Sequence, residues 1–193
     1  MTVMTGAEAI IKSLRLNGVD TVFGLPGGQL DFLFDAMYKE ASGIRLIHSR
    51  HEQGCAYMAY GYARSTGKVG TYCVVPGPGL LNSSAALCTA SANYTPVLCI
   101  SGQIPSGAIG KGYGDLHEID DQLGMIRHIT KWAARIDHPS LAPDTMREAF
   151  RQLTTGSPRP VEVEMPMDIM GLQAKVELPP AVDAYPLPPL DET

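Results

Sequence analysis

One glutamate, Glu52, has a sequence setting in which a carboxylate could transfer a proton. It follows a predicted strand (44–48), lies at the start of a predicted helix (51–65) and is preceded by His51. A carboxylate in the first turn of a helix is stabilised by the helix dipole, so a plain surface residue is one interpretation. The other is a carboxylate in an apolar rim, where lost hydration favours the protonated form and allows proton exchange with a ligand nitrogen. The sequence pattern alone leaves both open.

Three glycine and proline clusters follow other predicted strands. They are Leu25-Pro26-Gly27-Gly28, Pro76-Gly77-Pro78-Gly79 and Ser101-Gly102-Gln103. Glycine-rich turns between a strand and a helix let backbone N–H groups approach a ligand closely. Neither the G-x-G-x-x-G pattern of dinucleotide sites nor the G-x-x-x-x-G-K-[ST] phosphate loop occurs in the sequence. The clusters therefore predict a ligand site of another kind, unless they serve only as tight turns.

The histidines and cysteines give weaker signals. His48, His51 and His117 are each either a ligand contact or a solvated side chain. The four cysteines form no C-x-x-C pair and no zinc-type spacing with histidine, so no metal site is predicted. Their apolar neighbours predict small buried side chains in a reducing compartment. A catalytic thiol is the alternative, for which Cys55, close to Glu52, is the best candidate.

Helices and buried strands alternate along most of the chain. The apolar period of 6–16 predicts a helix with Thr5 as its N-cap and Gly18 as its stop. Such alternation predicts a doubly wound α/β fold, in which a mostly parallel sheet carries helices on both faces. Ligands of these folds bind outside the carboxyl ends of the strands, where the clusters and Glu52 lie. The other predicted strands are 21–24, 44–48, 70–75, 96–101 and 160–164, and the other predicted helices are 29–40, 51–65, 80–93, 119–126 and 141–153.

Composition and length exclude several classes of protein. The chain has 193 residues, 45% of them apolar, and a formal net charge of −5 without a basic cluster, which disfavours nucleic acid as a partner. No apolar run approaches the about 20 residues that span a bilayer, and no export signal opens the sequence. We therefore expect a cytoplasmic protein without a membrane partner. Because five of the last 15 residues are proline, we expect one domain over 1–172 and a proline-rich linker over 173–193 that leads to a missing central domain.

Several motifs stand in a fixed order along the chain. They are Phe23-Gly24-Leu25-Pro26-Gly27-Gly28, Arg50-His51-Glu52-Gln53-Gly54, Gly61-Tyr62-Ala63-Arg64, Gly77-Pro78-Gly79 with Asn82, and Pro96-Val97 with Gly102-Gln103. Each motif is weak alone, but the ordered set resembles the N-terminal domain of thiamine-diphosphate-dependent enzymes, especially the acetolactate (acetohydroxyacid) synthase group. The resemblance covers about residues 4–170. It implies the thiamine-diphosphate-binding fold, with 1–172 as the domain that binds the cofactor's pyrimidine ring.

The resemblance also implies a role for each matching residue. Glu52 matches the family's glutamate, which hydrogen-bonds a nitrogen of the aminopyrimidine ring and promotes the tautomer that removes the thiazolium C2 proton. The other matching residues would border the reactive end of the cofactor (Pro26, Gly27 and Gly28), flank the pyrimidine (Pro78 and Asn82) and face the substrate (Gln103).

The resemblance implies a carboligase or decarboxylase that acts on a 2-oxoacid or an aldehyde. Mg²⁺ would be held by a separate diphosphate-binding domain with a Gly-Asp-Gly triplet, which this sequence lacks, and a bound FAD stays open. We therefore expect the first domain of a longer enzyme, inactive alone. It would assemble as a homodimer or tetramer near the helix at 54–63, which is apolar on nearly all sides. A complete small subunit of a split decarboxylase and a non-catalytic α/β binding module are the alternatives.

Two departures from the family's pattern limit the assignment of a substrate. Acetohydroxyacid synthases have Ala-Phe-Gln-Glu where this chain has Asp115-Leu116-His117-Glu118, so Leu116 and His117 replace an aromatic and an amide near their substrate. His117 is therefore a substrate contact, a general acid or a solvated loop residue. They also have Thr/Ser-Gly-Pro-Gly where this chain begins the motif with Pro76. A related carboligase or decarboxylase thus stays open beside acetolactate synthase.

Overall fold

The computed structural model describes residues 1–39 and 43–181. Its strands are β1 (Thr2–Thr5), β2 (Thr21–Gly24), β3 (Arg45–His48), β4 (Gly70–Val74), β5 (Val97–Gln103), β6 (Trp132–Arg135), β7 (Val161–Pro166) and β8 (Gln173–Val176). Its helices are α1 (Gly6–Leu16), α2 (Asp31–Lys39), α3 (Glu52–Thr66), α4 (Pro78–Ala92), α5 (Gln122–Arg127), α6 (Ala142–Thr154) and α7 (Met167–Gly171). Short 3₁₀ turns cover Gly28–Leu30 and Pro139–Leu141.

Six of the strands form one parallel sheet in the order β3-β2-β4-β5-β7-β6. Helices cover both faces of this sheet, so the doubly wound α/β prediction is confirmed. From β2 the chain adds β3 on one side and β4 on the other, and the order of the strands changes direction between β2 and β4. In open α/β sheets the crevice at such a point is the usual place for a ligand.

The two faces of the sheet have separate cores. On one face α1, α2, α6 and α7 bury side chains such as Ile10, Leu33 and Phe150 against the strands. On the other face α3, α4 and α5 bury side chains such as Ala59, Leu87 and Ile126. The second face brings α3 and α4 close together, which matters for the site because both helices begin at the carboxyl edge of the sheet.

Helix α1 has the bounds that its apolar period predicted. Oγ1 of Thr5 accepts a hydrogen bond from the N–H of Glu8 at 3.1 Å, and the Glu8 carboxylate accepts one from the N–H of Thr5 at 2.8 Å. This reciprocal pair satisfies two backbone donors that the first turn would otherwise leave free. Ile10, Ile11 and Leu14 then turn inward on one face of the helix.

Strand β8 corrects the expected boundary of the domain. It pairs antiparallel with β1 in a separate two-stranded sheet, with Thr2 opposite Val176, and Val176 is buried. Residues 173–176 therefore belong to the folded unit, and the linker predicted to begin at 173 is wrong for these four residues. The proline-rich part from 182 onward lies outside the described residues, as does the predicted end of the second helix at residue 40.

Candidate functional site

Three loops meet where the strand order changes direction. β2 lies between β3 and β4, and all three strands end at the same edge of the sheet. Loop 25–28 follows β2, loop 49–51 leads from β3 to Glu52, and loop 75–77 joins β4 to α4. The structure thus brings the predicted carboxylate together with two of the glycine and proline clusters, and the third adjoins them, since a Cβ on Gly102 would lie 3.0 Å from Cδ of Pro76 and 3.1 Å from the carbonyl oxygen of Gln29.

Glu52 is the first residue of α3 and is half-buried. His51 caps this helix, because its Nδ1 accepts a hydrogen bond from the N–H of Gln53 at 3.2 Å. Oε2 of Glu52 accepts a hydrogen bond from Nδ2 of Asn82 at 2.9 Å. Oε1 has no hydrogen-bond partner among the described residues. Glu52 therefore has one oxygen held by the protein and one oxygen available to a ligand.

Two glycines let α4 begin close to its neighbours. Gly77 has a φ of +56°, and a Cβ there would lie 2.3 Å from the carbonyl oxygen of His117. A Cβ on Gly79 would lie 2.6 Å from Cγ2 of Val75 and 3.5 Å from Oε1 of Glu52. Any larger residue at either position would force the backbone or its neighbour to move. The start of α4 is thus packed tightly against the site.

A buried glutamine, Gln122, hydrogen-bonds the backbone of the turn at Gly77, where α4 begins. Its Oε1 accepts a hydrogen bond from the N–H of Gly77 at 2.8 Å, and its Nε2 donates to Oε2 of Glu164 at 2.7 Å and to the carbonyl of Gly102 at 3.1 Å. Gln122 is 1% exposed. Because Asn82 lies one turn further along α4, Gln122 also contributes to the placement of Asn82 against Glu52.

His117 reaches this edge from the long loop after β5. Its Nδ1 lies 3.2 Å from Oε1 of Gln29, and Nε2 of Gln29 donates to the carbonyl of Leu116 at 3.2 Å. His117 adopts a φ of +73°, in the left-handed region that residues other than glycine rarely occupy. The structure therefore brings His117 to the Gly77 turn, and its contact with a substrate stays a prediction.

Gln103, the predicted substrate contact, is buried. It is 2% exposed, its Oε1 accepts a hydrogen bond from the N–H of Ile104 at 2.8 Å, and its Nε2 lies 3.4 Å from Oε2 of Glu164. The side chain is therefore engaged inside the protein. A contact between Gln103 and a substrate stays a prediction that its burial does not favour.

Two carboxyl groups, Glu162 and Glu164, lie fully buried below the site on β7. Glu164 forms an ion pair with Arg135, whereas Glu162 accepts a hydrogen bond from Oγ of Ser101 at 2.6 Å and leaves its Oε2 unpartnered. Burial raises the pKa of Glu162 well above its ordinary value, and the charge of Glu164 raises this pKa further. Burial therefore favours the protonated form of Glu162.

The remaining predicted residues form the rim of the crevice. Pro26, Gly28 and Pro78 are exposed, and Gly27 is half-buried beside Val75. No atom lies within 4 Å of the position that a Cβ would take on Gly28, so the backbone there faces open space. The places of these residues fit a border around a ligand, and the contacts themselves stay predictions.

The cysteines are free thiols, and three of them are buried as predicted. Cys88 is the exception, because it lies on the exposed side of α4. Burial raises the pKa of the Cys55 thiol, with the charge of Glu52 adding to the effect, so Cys55 is a poor nucleophile.

Within residues 1–39 and 43–181, no three His, Cys, Asp or Glu side chains are grouped to hold a metal ion. Over the same residues, no helix has the length and apolar character needed to cross a membrane.

Sequence reasoning missed two residues that organise the site, Gln29 and Gln122. Gln29 directly follows Gly28, and its position in a strand-to-helix turn could have identified it as a candidate site residue. No local sequence pattern identifies Gln122, since its partners on β5, β7 and the Gly77 turn are all at least 20 residues away in the sequence. Only the folded chain reveals its role.

A parallel α/β sheet with a carboxylate and glycine turns at its switch point fits a cofactor-binding domain. Residues 4–125 match the family described as "Thiamine pyrophosphate enzyme, N-terminal TPP binding domain". The match covers more than half of the chain, and the chain therefore belongs to this family of thiamine-diphosphate-dependent enzymes.

Curated relatives are similar over most of the chain. It is 39% identical over 185 residues to a probable acetolactate synthase large subunit of Methanocaldococcus jannaschii, covering 96% of this chain and 29% of that protein. It is 41% identical over 168 residues to the acetolactate synthase large subunit of Haemophilus influenzae, covering 87% and 29%. It is 40% identical over 167 residues to a probable 2-ketoarginine decarboxylase of Pseudomonas aeruginosa, covering 86% and 30%. The chain thus spans less than a third of the length of these relatives.

Proposed function

We propose that this chain is the pyrimidine-binding domain of a thiamine-diphosphate-dependent carboligase or decarboxylase that acts on 2-oxoacids or aldehydes, in the manner of acetolactate synthase. The proposal depends above all on Glu52, a half-buried carboxylate at the switch point of the sheet with one free oxygen. The similarity to acetolactate synthases and to a probable 2-ketoarginine decarboxylase supports both reaction classes. The substrate within these classes stays open.

The residues at the crevice suit a flat heterocycle that carries ring nitrogens and an amino group. Oε1 of Glu52 is available to hydrogen-bond a ring nitrogen, while the Asn82 amide fixes the other oxygen of the carboxylate. The open space at Gly28 and the exposed ring of Pro78 leave room for this heterocycle at the rim of the crevice. When bound, thiamine diphosphate supplies the carbanion chemistry that the side chains of a protein cannot supply.

In this proposal Glu52 is the catalytic residue and Asn82 is a positioning residue. Glu52 holds or releases a proton at Oε1, and the hydrogen bond from Asn82 stops the carboxylate from rotating away. Gly77 and Gly79 keep the start of α4 close enough for this contact. Pro26, Gly27 and Gly28 border the reactive end, and His117 lies at the substrate side.

The rest of the active site would come from other domains. Mg²⁺ and the diphosphate of the cofactor would bind to a diphosphate-binding domain, which the longer relatives have room for and this sequence lacks. A flavin would also bind outside this chain if the enzyme uses one.

We place the enzyme in the cytoplasm, which the four free thiols support because a reducing compartment preserves them. The domain alone should be inactive on 2-oxoacids.

The face formed by α3 and α4 supports assembly into a homodimer or tetramer. Tyr57 and Leu81 are exposed by 38% and 46%, and Ala85 and Cys88 are exposed beside them. Exposed apolar and small residues on two packed helices suit a self-complementary interface.

Light scattering tests this interface. It should find dimers that Leu81→Glu converts to monomers, and a wild-type chain that is monomeric at high concentration would contradict this arrangement.

Exchange of the cofactor's C2 proton tests the central proposal. In the full-length polypeptide, Glu52→Gln should slow this exchange by on the order of 10²–10⁴-fold, because the amide cannot take up a proton as the carboxylate does. Circular dichroism should be unchanged. Glu177→Gln, an exposed glutamate after β8, is the matched control and should exchange like the wild type. Equal exchange in the wild type and in Glu52→Gln would support a non-catalytic module instead.

A further inference from the structure

The amide of Gln29 has only one orientation that satisfies its neighbours. One end lies 3.2 Å from the carbonyl oxygen of Leu116, which can only accept a hydrogen bond, so this end must be the NH₂ group. The other end is then the carbonyl oxygen, and it faces Nδ1 of His117 at 3.2 Å. Gln29 is 8% exposed, so little water competes for these contacts.

This orientation determines which nitrogen of His117 carries the proton. The Gln29 carbonyl oxygen can only accept, so Nδ1 of His117 must donate. A neutral imidazole has a single N–H, and a proton on Nδ1 leaves Nε2 with a free lone pair. For histidine free in water the opposite tautomer, with the proton on Nε2, predominates. The Gln29 contact therefore selects the less common form.

The backbone around His117 is held as firmly as its ring. Its carbonyl oxygen packs against Gly77, and its φ of +73° is maintained in spite of the strain that this conformation brings. The adjacent Glu118 ties the loop together, since its carboxylate accepts hydrogen bonds from the N–H groups of Gly112, Gly114 and Asp115. His117 is thus fixed beside the turn that begins α4, and Nε2 has no partner among the described residues.

We propose that Gln29 is a positioning residue that fixes His117 as the Nδ1–H tautomer, so that Nε2 accepts a hydrogen bond or a proton from a hydroxyl or N–H group of the ligand. The proposal rests on the proposed function only in placing that ligand at the same edge of the sheet. The tautomer itself is a property of the chain alone, without cofactor or substrate.

Another histidine provides an internal control for the tautomer. Nδ1 of His51 accepts a hydrogen bond from the N–H of Gln53. His51 must therefore carry the proton on Nε2 when neutral. The same chain is thus expected to contain both tautomers, with His117 opposite to His51.

Nitrogen-15 NMR of the imidazoles in the 193-residue chain tests the proposal. At a pH of about 8, we expect Nδ1–H for His117 and Nε2–H for His51. The spectrum contains five histidines, and His117→Asn identifies the signal that belongs to His117. A wild-type His117 found mainly as Nε2–H would overturn the proposal.

Two substitutions at Gln29 separate the tautomer effect from a loss of structure. Gln29→Leu removes the acceptor and should invert the tautomer ratio of His117, while the His51 signal stays unchanged as evidence of a folded chain. Gln29→Glu loses the hydrogen bond to Leu116 but keeps an acceptor at the same reach, so Nδ1 of His117 should stay protonated. A His117 signal that Gln29→Leu leaves unchanged would overturn the role of Gln29. None of these results depends on the exchange measurement at Glu52, so the two proposals can fail separately.

Discussion

Two pairs of polar groups lie at different levels along the strand direction, the upper pair beyond the strand ends and the lower pair within β7, and they are built in opposite ways. The upper pair, Glu52 with Asn82, is half-buried to exposed and leaves one carboxylate oxygen free. The lower pair, Glu162 and Glu164, is fully buried, and Arg135 forms an ion pair with Glu164. The same type of side chain is therefore open to the surface in one place and enclosed in the fold in the other.

The difference shows how the surroundings decide the use of a carboxyl group. Glu164 has its ion pair with Arg135 and a hydrogen bond from Gln122, so its charge is satisfied inside the protein. Glu162 accepts a hydrogen bond from Ser101, and burial raises its pKa well above the ordinary value. Glu52 meets water at the rim and receives one amide hydrogen bond, which orients it and leaves its charge available. Of these three glutamates, Glu52 alone has a carboxylate oxygen that stays open at the rim, as the proposed proton exchange requires.

The largest expected effect comes from removing the cation of the lower pair. Arg135→Met should lower the free energy of unfolding by about 3–5 kcal/mol, because it leaves the Glu164 charge buried without compensation. Urea unfolding of both chains measures this difference. Lys39→Met is the control, since its ion pair with Asp35 is exposed and its loss should change the stability far less. Equal losses in the two variants would contradict the importance of the buried pair.

The second effect is a pH dependence that originates at Glu162. Its pKa is raised in the folded chain above the ordinary value near 4.5, so the folded state binds more protons than the unfolded state above that pH. This contribution to stability is fully present below pH 4.5 and is lost as the pH rises through the folded pKa. The free energy of unfolding should thus fall by up to about 1.4 kcal/mol per pH unit.

The substitution Glu162→Gln removes the titrating group and keeps its shape. Unfolding experiments between pH 5 and pH 8 should therefore give a flatter profile for this variant than for the wild type. The hydrogen bond with Ser101 can still form through the amide. Parallel profiles for the two chains would assign the pH dependence to other groups.

The smallest effect on stability is expected at the upper pair. Asn82→Ala removes one hydrogen bond at an exposed position, and the free energy of unfolding should change by less than about 1 kcal/mol. The same variant should slow the C2 exchange of the full-length polypeptide, because Glu52 is no longer oriented. A loss of stability as large as that of Arg135→Met would remove the contrast between the two pairs.

The parts of the fold that follow from local rules were predictable from the sequence. Helix α1 was predicted with its observed bounds, because Thr5, Glu8 and the apolar period all lie within it. The alternation of strands and helices predicted the parallel sheet. Glu52 could be selected because it follows a strand and begins a helix, and both facts can be read locally.

The parts that depend on distant partners could not be predicted in this way. Strands β1 and β8 stabilise each other across the length of the domain, and neither short segment is strongly apolar. Strand β6 contains two alanines in four residues, and its pairing with β7 overrides this weak propensity. The alternating Val-Glu-Val-Glu of β7 resembles a half-exposed strand, yet both glutamates are buried because Arg135, Gln122 and Ser101 supply partners from elsewhere in the chain.

The pairing of β1 with β8 also makes the two ends of the described domain neighbours. Thr2 lies opposite Val176 in an antiparallel pair, so their Cα atoms are only about 5 Å apart. A linker of two or three residues can therefore close the chain into a ring, and new termini can be opened at the exposed turn around Gly156 without interrupting the parallel sheet. The domain is thus suited to circular permutation, and it can be inserted as a unit into a surface loop of another protein.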